Sequence, residues 1–184
     1  MKKKSLALVL ALAMIVVCVV GGTLAWLIAT TPEVKNTFTT SDVDITLTET
    51  TTNYKMIPGY TIDKDPKVTV LAGSEKCYLF VKVAESDNFD TFMTYDMAAG
   101  WTALTGVNGV YYRVVDASTA DQEFGVLKDN QVTVRGDVTK TMLNALTADT
   151  QPTLTFTAYA CQYNSSNGTS FTAADAWAKV NPTT

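Results

Sequence analysis

The residues able to do chemistry in this chain are few, and one type is missing altogether. Asp63 and Asp65, with Asp87 and Asp90 downstream, are the acidic groupings close enough in sequence to suggest a cation site. Calcium takes about six to eight oxygen ligands, so two or three loop carboxylates with backbone carbonyls would make one. The calcium-loop pattern with glycine at its sixth position is absent, and a solvated acidic loop is the competing reading. Asp42 and Asp44 share parity and read as the polar face of an amphipathic strand. Histidine is absent. That removes the Ser-His-Asp and Cys-His constellations, the His-Glu-x-x-His zinc site and most zinc or copper chemistry.

Of three cysteines, Cys18 lies in an apolar leader, leaving Cys77 and Cys161. In an exported chain they are able to form one disulfide. Strand parity argues otherwise: Cys77 is in phase with Leu79, Val81 and Val83, and Cys161 with Thr155, Thr157 and Tyr159, which points the thiols to different faces. Trp26, Trp101 and Trp177, with eight tyrosines, offer either a sugar-stacking platform or ordinary core and edge packing. There is no Gly-rich phosphate loop, nucleophile elbow or Cys-x-x-Cys pair, so no enzyme is expected, and no cofactor or metal.

Export is written at the N-terminus. Lys2, Lys3 and Lys4 precede an apolar run from Leu6 to Leu27 that closes on Gly21-Gly22-Thr23-Leu24-Ala25-Trp26, the layout of a secretory signal. Thr23 and Ala25 place small residues where a signal peptidase needs them, for a cut before Trp26. The run is also long enough to remain as an uncleaved membrane anchor. Removing the three lysines takes the formal charge from −4 to −7, which speaks against nucleic acid and anionic membrane surfaces as partners.

The rest alternates with period two. Val43–Thr48, Val68–Val70, Val132–Val134 and Leu154–Tyr159 read as half-buried antiparallel strands, and the more continuous Cys77–Val83 as a central strand covered on both faces. Turn chemistry separates them at Pro58-Gly59, Ala72-Gly73-Ser74 and Arg135-Gly136-Asp137, and Asn108-Gly109 marks a hairpin between residues 101–104 and 110–115. Two short helices are expected, from Thr139 to Leu146 and from the capping box Thr172–Asp175 to about Val180. The sequons at Asn164 and Asn167 read as solvated loop. The expected fold is all-β, an antiparallel sandwich or jelly roll with one or two peripheral helices behind an N-terminal signal helix. Its divisions fall at 1–25 (signal), 26–40, 41–163 (sandwich) and 164–184 (loop and helix).

These residues form a recognisable set. The leader ending Gly21-Gly22-Thr23-Leu24-Ala25-Trp26, then Asn36-Thr37-Phe38, Asp42–Leu47, Pro58-Gly59, Lys67–Val70, Tyr78–Val83 and Thr153–Ala160, resembles the TasA/camelysin family of exported biofilm-matrix fibre proteins. The resemblance implies a jelly-roll subunit of extracellular fibres in Gram-positive bacteria, cut by a SipW-type signal peptidase, with a fibre-initiating accessory protein as a further partner. A sandwich with an open edge accepts a strand from another chain, and head-to-tail donation generates a filament. The donor candidate is Trp26 to about Thr40, with Trp26, Leu27, Ile28, Val34 and Phe38 as anchors and Pro32 offsetting the pairing. Leu27-Ile28-Ala29 is more apolar than the family pattern after the cut. Camelysins carry a metallopeptidase label, but a chain without histidine gives no reason to transfer it. A membrane-anchored or secreted adhesin that binds carbohydrate is the alternative function.

Overall fold

A computed structural model describes residues 42–50 and 54–181, all within the compact unit Thr40–Thr184. Ten strands are arranged in three antiparallel sheets. The first joins β1 (Ile45–Thr48), β3 (Lys67–Val70) and β8 (Gln122–Gly125) in the order β1-β3-β8. A second joins β2 (Thr61–Asp63), β9 (Gln131–Val134) and β5 (Met93–Thr94) in the order β2-β9-β5. The third and longest runs β10-β4-β7-β6, from β10 (Leu154–Gln162) through β4 (Cys77–Glu85) and β7 (Val110–Val115) to β6 (Thr102–Ala103).

The first two sheets are one ribbon interrupted by a bulge. Three residues, Lys64 to Pro66, lie between β2 and β3, while residues 126–130 lie between their partners β8 and β9. Backbone bonds bracket the mismatch: Lys64 N donates to Asn130 O at 2.7 Å and Val126 N to Pro66 O at 3.0 Å. The longer side takes up its excess in a 3₁₀ turn, Lys128–Asn130, with Asp129 and Asn130 at φ 53° and 55°. Asp and Asn are the side chains that tolerate that left-handed region best.

The ribbon faces the third sheet across an apolar core. Val68 and Val70 of β3 pack with Cys77, Leu79, Val81 and Val83 of β4 and with Val115 of β7, and Leu79 and Val81 have no exposed surface. Tyr78 and Phe80 project from the other face of β4 onto Tyr112 and Trp177, so this strand is covered on both sides, as its unbroken apolar run predicts. Burial of each such side chain contributes about 1.5–3 kcal/mol, which makes β4 the strongest organising element. A third cluster lies under the β2-β9-β5 end, where Ile62, Val132 and Val134 meet Phe89, Phe92 and Val138.

Three α-helices are present among the described residues. The two expected ones form, the second with the cap that the sequence predicts. Thr139 accepts from Met142 N at 3.3 Å to open α2 (Lys140–Asn144), and Thr172 accepts from Asp175 N at 3.1 Å to open α3 (Ala173–Val180). Helix α2 lays Met142, Leu143 and Leu146 on the third cluster, and α3 buries Ala176 and Trp177 against β4 and β10. The additional helix, α1 (Phe89–Phe92), is a single turn without a side-chain cap, held because Phe89 and Phe92 are both buried. It corrects the expectation of one or two helices, since one turn is too short to show a helical period. Among the described residues no helix is long and apolar enough to cross a membrane.

The Asn108-Gly109 signal marks a real hairpin, with Thr102 opposite Tyr112 and Ala103 opposite Tyr111. Its turn is longer than two residues, and Gly109 is needed for a specific reason. Gly109 has φ 70°, and a Cβ there would stand 2.4 Å from Val83 O, while Val83 N donates to Gly109 O at 2.7 Å. Only a residue without a side chain fits so close to the neighbouring backbone.

Candidate functional site

Outer strands of a sheet carry unpaired backbone groups, and proteins usually shorten, charge, bend or cover them. Among the described residues β10 is the outermost strand of the third sheet and runs nine residues, Leu154-Thr155-Phe156-Thr157-Ala158-Tyr159-Ala160-Cys161-Gln162. None of the nine is charged, and none is proline or glycine. All nine are in register with β4, from Leu154 opposite Glu85 to Gln162 opposite Cys77, so the strand is straight and unbulged. Leu154, Phe156, Ala158 and Ala160 turn half-buried faces to the core between the sheets, and Thr155 and Thr157 are exposed on the other face. On the same side of the sandwich β1, the outer strand of the ribbon, lies close to β10 and carries no charge either. Together they frame an apolar seam with a strand's worth of backbone along it.

At one end of this seam is a cavity of about 770 Å³ whose walls include Tyr54, Met56, Leu143, Leu146 and Leu154. Lys64 also lines it, and its ammonium meets Glu49 Oε1 at 2.5 Å; the two side chains are only 11% and 17% exposed. Tyr54 donates its hydroxyl to the same oxygen at 2.8 Å, and the ammonium lies 5.1 Å from the centre of the Tyr54 ring and 5.4 Å from that of Phe156. Burial, and then the hydrogen bond to Glu49, pushes the Tyr54 phenol far above its ordinary value. Beside it Thr50 donates through N and Oγ1 to the two carboxylate oxygens of Asp65, at 3.0 and 2.5 Å, which hold that carboxyl below its ordinary range. The segment after β1 is thereby pinned to the residues between β2 and β3.

The opposite side of the sandwich is finished differently. Arg113 of β7 stands opposite Leu79 and therefore points inward, and its guanidinium lies 4.0 Å from the centre of the Phe124 ring of β8 and 5.4 Å from that of Trp101. Trp101 is fixed by donating Nε1 to Gly125 O at 2.8 Å. Phe124 comes from the ribbon, and Arg113 and Trp101 from the third sheet and its approach, so the stack closes the gap between the layers.

The structure separates the acidic residues that the sequence groups. Asp63 ends β2 opposite Gln131, Asp65 serves Thr50, Asp87 lies in the turn before α1 and Asp90 within it. Among the described residues no three His, Cys, Asp or Glu side chains are placed to hold a metal ion. Trp177 is buried in the core under α3 rather than displayed, and Trp101 is half-buried in the arginine stack, so the two form no common sugar platform. Cys77 and Cys161 are free thiols, Cys77 in the core between the sheets and Cys161 on the α3 face, the separation that their parity predicts. Thr23, Leu24, Ala25 and Trp26 at the expected cleavage site, and Leu27, Ile28, Val34 and Phe38 of the donor candidate, lie outside the described residues.

No family model, curated protein or solved structure matches this chain. Functional argument therefore rests on the residues themselves. Sequence reasoning missed Lys64 and Glu49, which sit outside any periodic run. It also missed Arg113, although a signal was present: in Val110–Val115 the arginine is in phase with Tyr111 and Val115, the core-facing set.

Proposed function

We propose that this chain is the secreted structural subunit of an extracellular fibre, joined head-to-tail by a strand donated from the next copy. The observation that carries this reading is the nine-residue edge of β10, uncharged, unbulged and without proline, beside the equally uncharged β1. In a protein that stays monomeric such an edge is a liability, and in a fibre subunit it is the joint. The donor is the segment from Trp26 to about Thr40, released when a SipW-type signal peptidase removes residues 1–25. An accessory protein that offers the first strand is the natural initiator, because the first subunit has no predecessor.

The strand orders support a jelly-roll reading. With β2/β3 and β8/β9 each counted as one interrupted strand, the two layers run 1-2-7-4 and 8-3-6-5 in chain order. The runs 2-7-4 and 8-3-6 are those of a jelly roll, and only the outer strands β1 and β6 pair with their chain neighbours instead. The reading is tested with purified chain beginning at Trp26, which polymerises into filaments visible by negative-stain electron microscopy. The same chain lacking Trp26–Thr40 stays soluble and unpolymerised; filaments from that truncated protein would overturn strand donation by this segment.

A further inference from the structure

Among the described residues Arg113 has no counter-charge. No hydrogen bond or ion pair holds its guanidinium among the described residues, and its Nε is sequestered from solvent without an acceptor. Burial pulls its pKa down, and no carboxylate of the described residues is near enough to oppose the effect. Its guanidinium carbon lies 4.0 Å from the centre of the Phe124 ring, a contact that restricts where the group can move. The backbone of Gly100 packs directly against it. Gly100, at φ 88°, is placed so that a Cβ would come within 3.0 Å of Arg113 Nη2. A partly dehydrated guanidinium without a carboxylate partner is where an outside carboxylate gains most, through paired N–H···O bonds. The half-buried Trp101 ring adjoining it supplies an apolar surface of the kind on which a pyranose ring rests.

We propose that Arg113, Trp101 and the backbone at Gly100 form a binding site for the carboxylate of a uronic-acid residue in an acidic polysaccharide. The site lies on the side of the sandwich away from β10, so it stands independently of the fibre reading and remains accessible if that reading fails. Nη1 and Nη2 take the carboxylate end-on, because Nε is turned inward.

The test is titration of the secreted chain with tetragalacturonate, by calorimetry and tryptophan fluorescence in chelator-containing buffer. Neutral galactotetraose and a short poly-glutamate serve as comparison ligands. Binding of the acidic sugar is expected, with at least a tenfold loss for Arg113→Gln and a smaller loss for Arg113→Lys, which keeps the charge but not the fork. Circular dichroism confirms that each variant is folded, and Gly100→Ala supplies an independent variant that weakens binding by crowding Nη2. Absence of binding by the unaltered chain, equal binding of the neutral sugar, or equal binding of poly-glutamate would each overturn the assignment. So would full affinity in the folded arginine variants.

Discussion

Along β10 nine residues border the sandwich without a charge or a proline, whereas the same sheet ends at its other border in the two-residue β6. There an inward arginine between two aromatic residues fills the gap. Short outer strands and inward charges are standard ways to stop a sheet from growing. Among the described residues the β6 side uses both, and β10 neither. Two sides finished so differently give the described residues a direction, which a head-to-tail polymer requires and a symmetric aggregate does not.

The largest expected effect concerns the pin beside the bare side. Lys64→Met leaves Glu49 a partly buried charge with only Tyr54 for a partner among the described residues, at a cost of about 3 kcal/mol. Replacing both partners, Glu49→Leu with Lys64→Met, returns stability to within about 1 kcal/mol of the parent, because the desolvation cost disappears with the charges. Urea midpoints of the two single variants and the double variant check this. If the single variants cost nothing, the segment after β1 is not anchored by this pair and the bare side is less ordered than its contacts imply.

On the guarded side the corresponding weak point is the hairpin. Gly109→Ala places a methyl group 2.4 Å from Val83 O at a positive φ, and a loss of about 2–3 kcal/mol is expected from strain and a broken β4–β7 contact. Thermal unfolding of this variant measures it. A loss as small as that of an ordinary surface change would mean that the hairpin yields easily, and then β6 is no real terminus for the sheet.

Exchanging the two finishes tests the comparison itself. Ala158→Arg puts an inward charge on β10 and is expected to abolish polymerisation at a stability cost of about 1–2 kcal/mol, since a half-buried position lets the head group reach solvent. Arg113→Leu removes the stack on Phe124, worth about 1 kcal/mol, and uncovers the other side, so lateral association is expected in sedimentation velocity. Polymers formed by Ala158→Arg at the parent's rate would show that β10 is not the joint.

How far the sequence predicts these features depends on what each residue's neighbours in the chain reveal. Strands β4, β9 and β10 alternate or run apolar for long enough to be recognised, Met142, Leu143 and Leu146 mark α2 by sharing a face, and Thr172 announces α3 through cap chemistry that lies within a few residues. Strand β8, Gln122-Glu123-Phe124-Gly125, has one apolar residue and forms because Val68 stands opposite Phe124, a partner 56 positions away. The bulge between Lys64 and Asn130 is equally non-local. So is the Lys64–Glu49 pair, whose two members lie in stretches that read locally as loop. Arginine 113 is the intermediate case: its inward direction follows from parity, but the lack of a counter-charge appears only once β8 and the Trp101 segment are in place.

The smallest effect separates the sides by alkaline titration. Tyr54, hydrogen-bonded to Glu49 beside the bare side, and Tyr95, whose hydroxyl donates to Glu85 Oε1 at 2.5 Å, both have phenols raised well above the ordinary value, chiefly by burial and then by those carboxylates. A raised folded pKa means that the native state keeps a proton the unfolded chain releases near pH ~10. Their contribution to stability is therefore complete below that pH and declines as pH rises through the window between the unfolded and folded values. Tyr54→Phe and Tyr95→Phe should each flatten the decline, as read from urea midpoints between about pH 8 and 11. Strand addition along the seam next to Tyr54 would further shield that phenol and leave Tyr95 as it was. In the polymer, then, absorbance at the phenolate band should show Tyr54 titrating still later than in the monomer. An unchanged titration of Tyr54 on polymerisation would place the joint away from the β1–β10 seam.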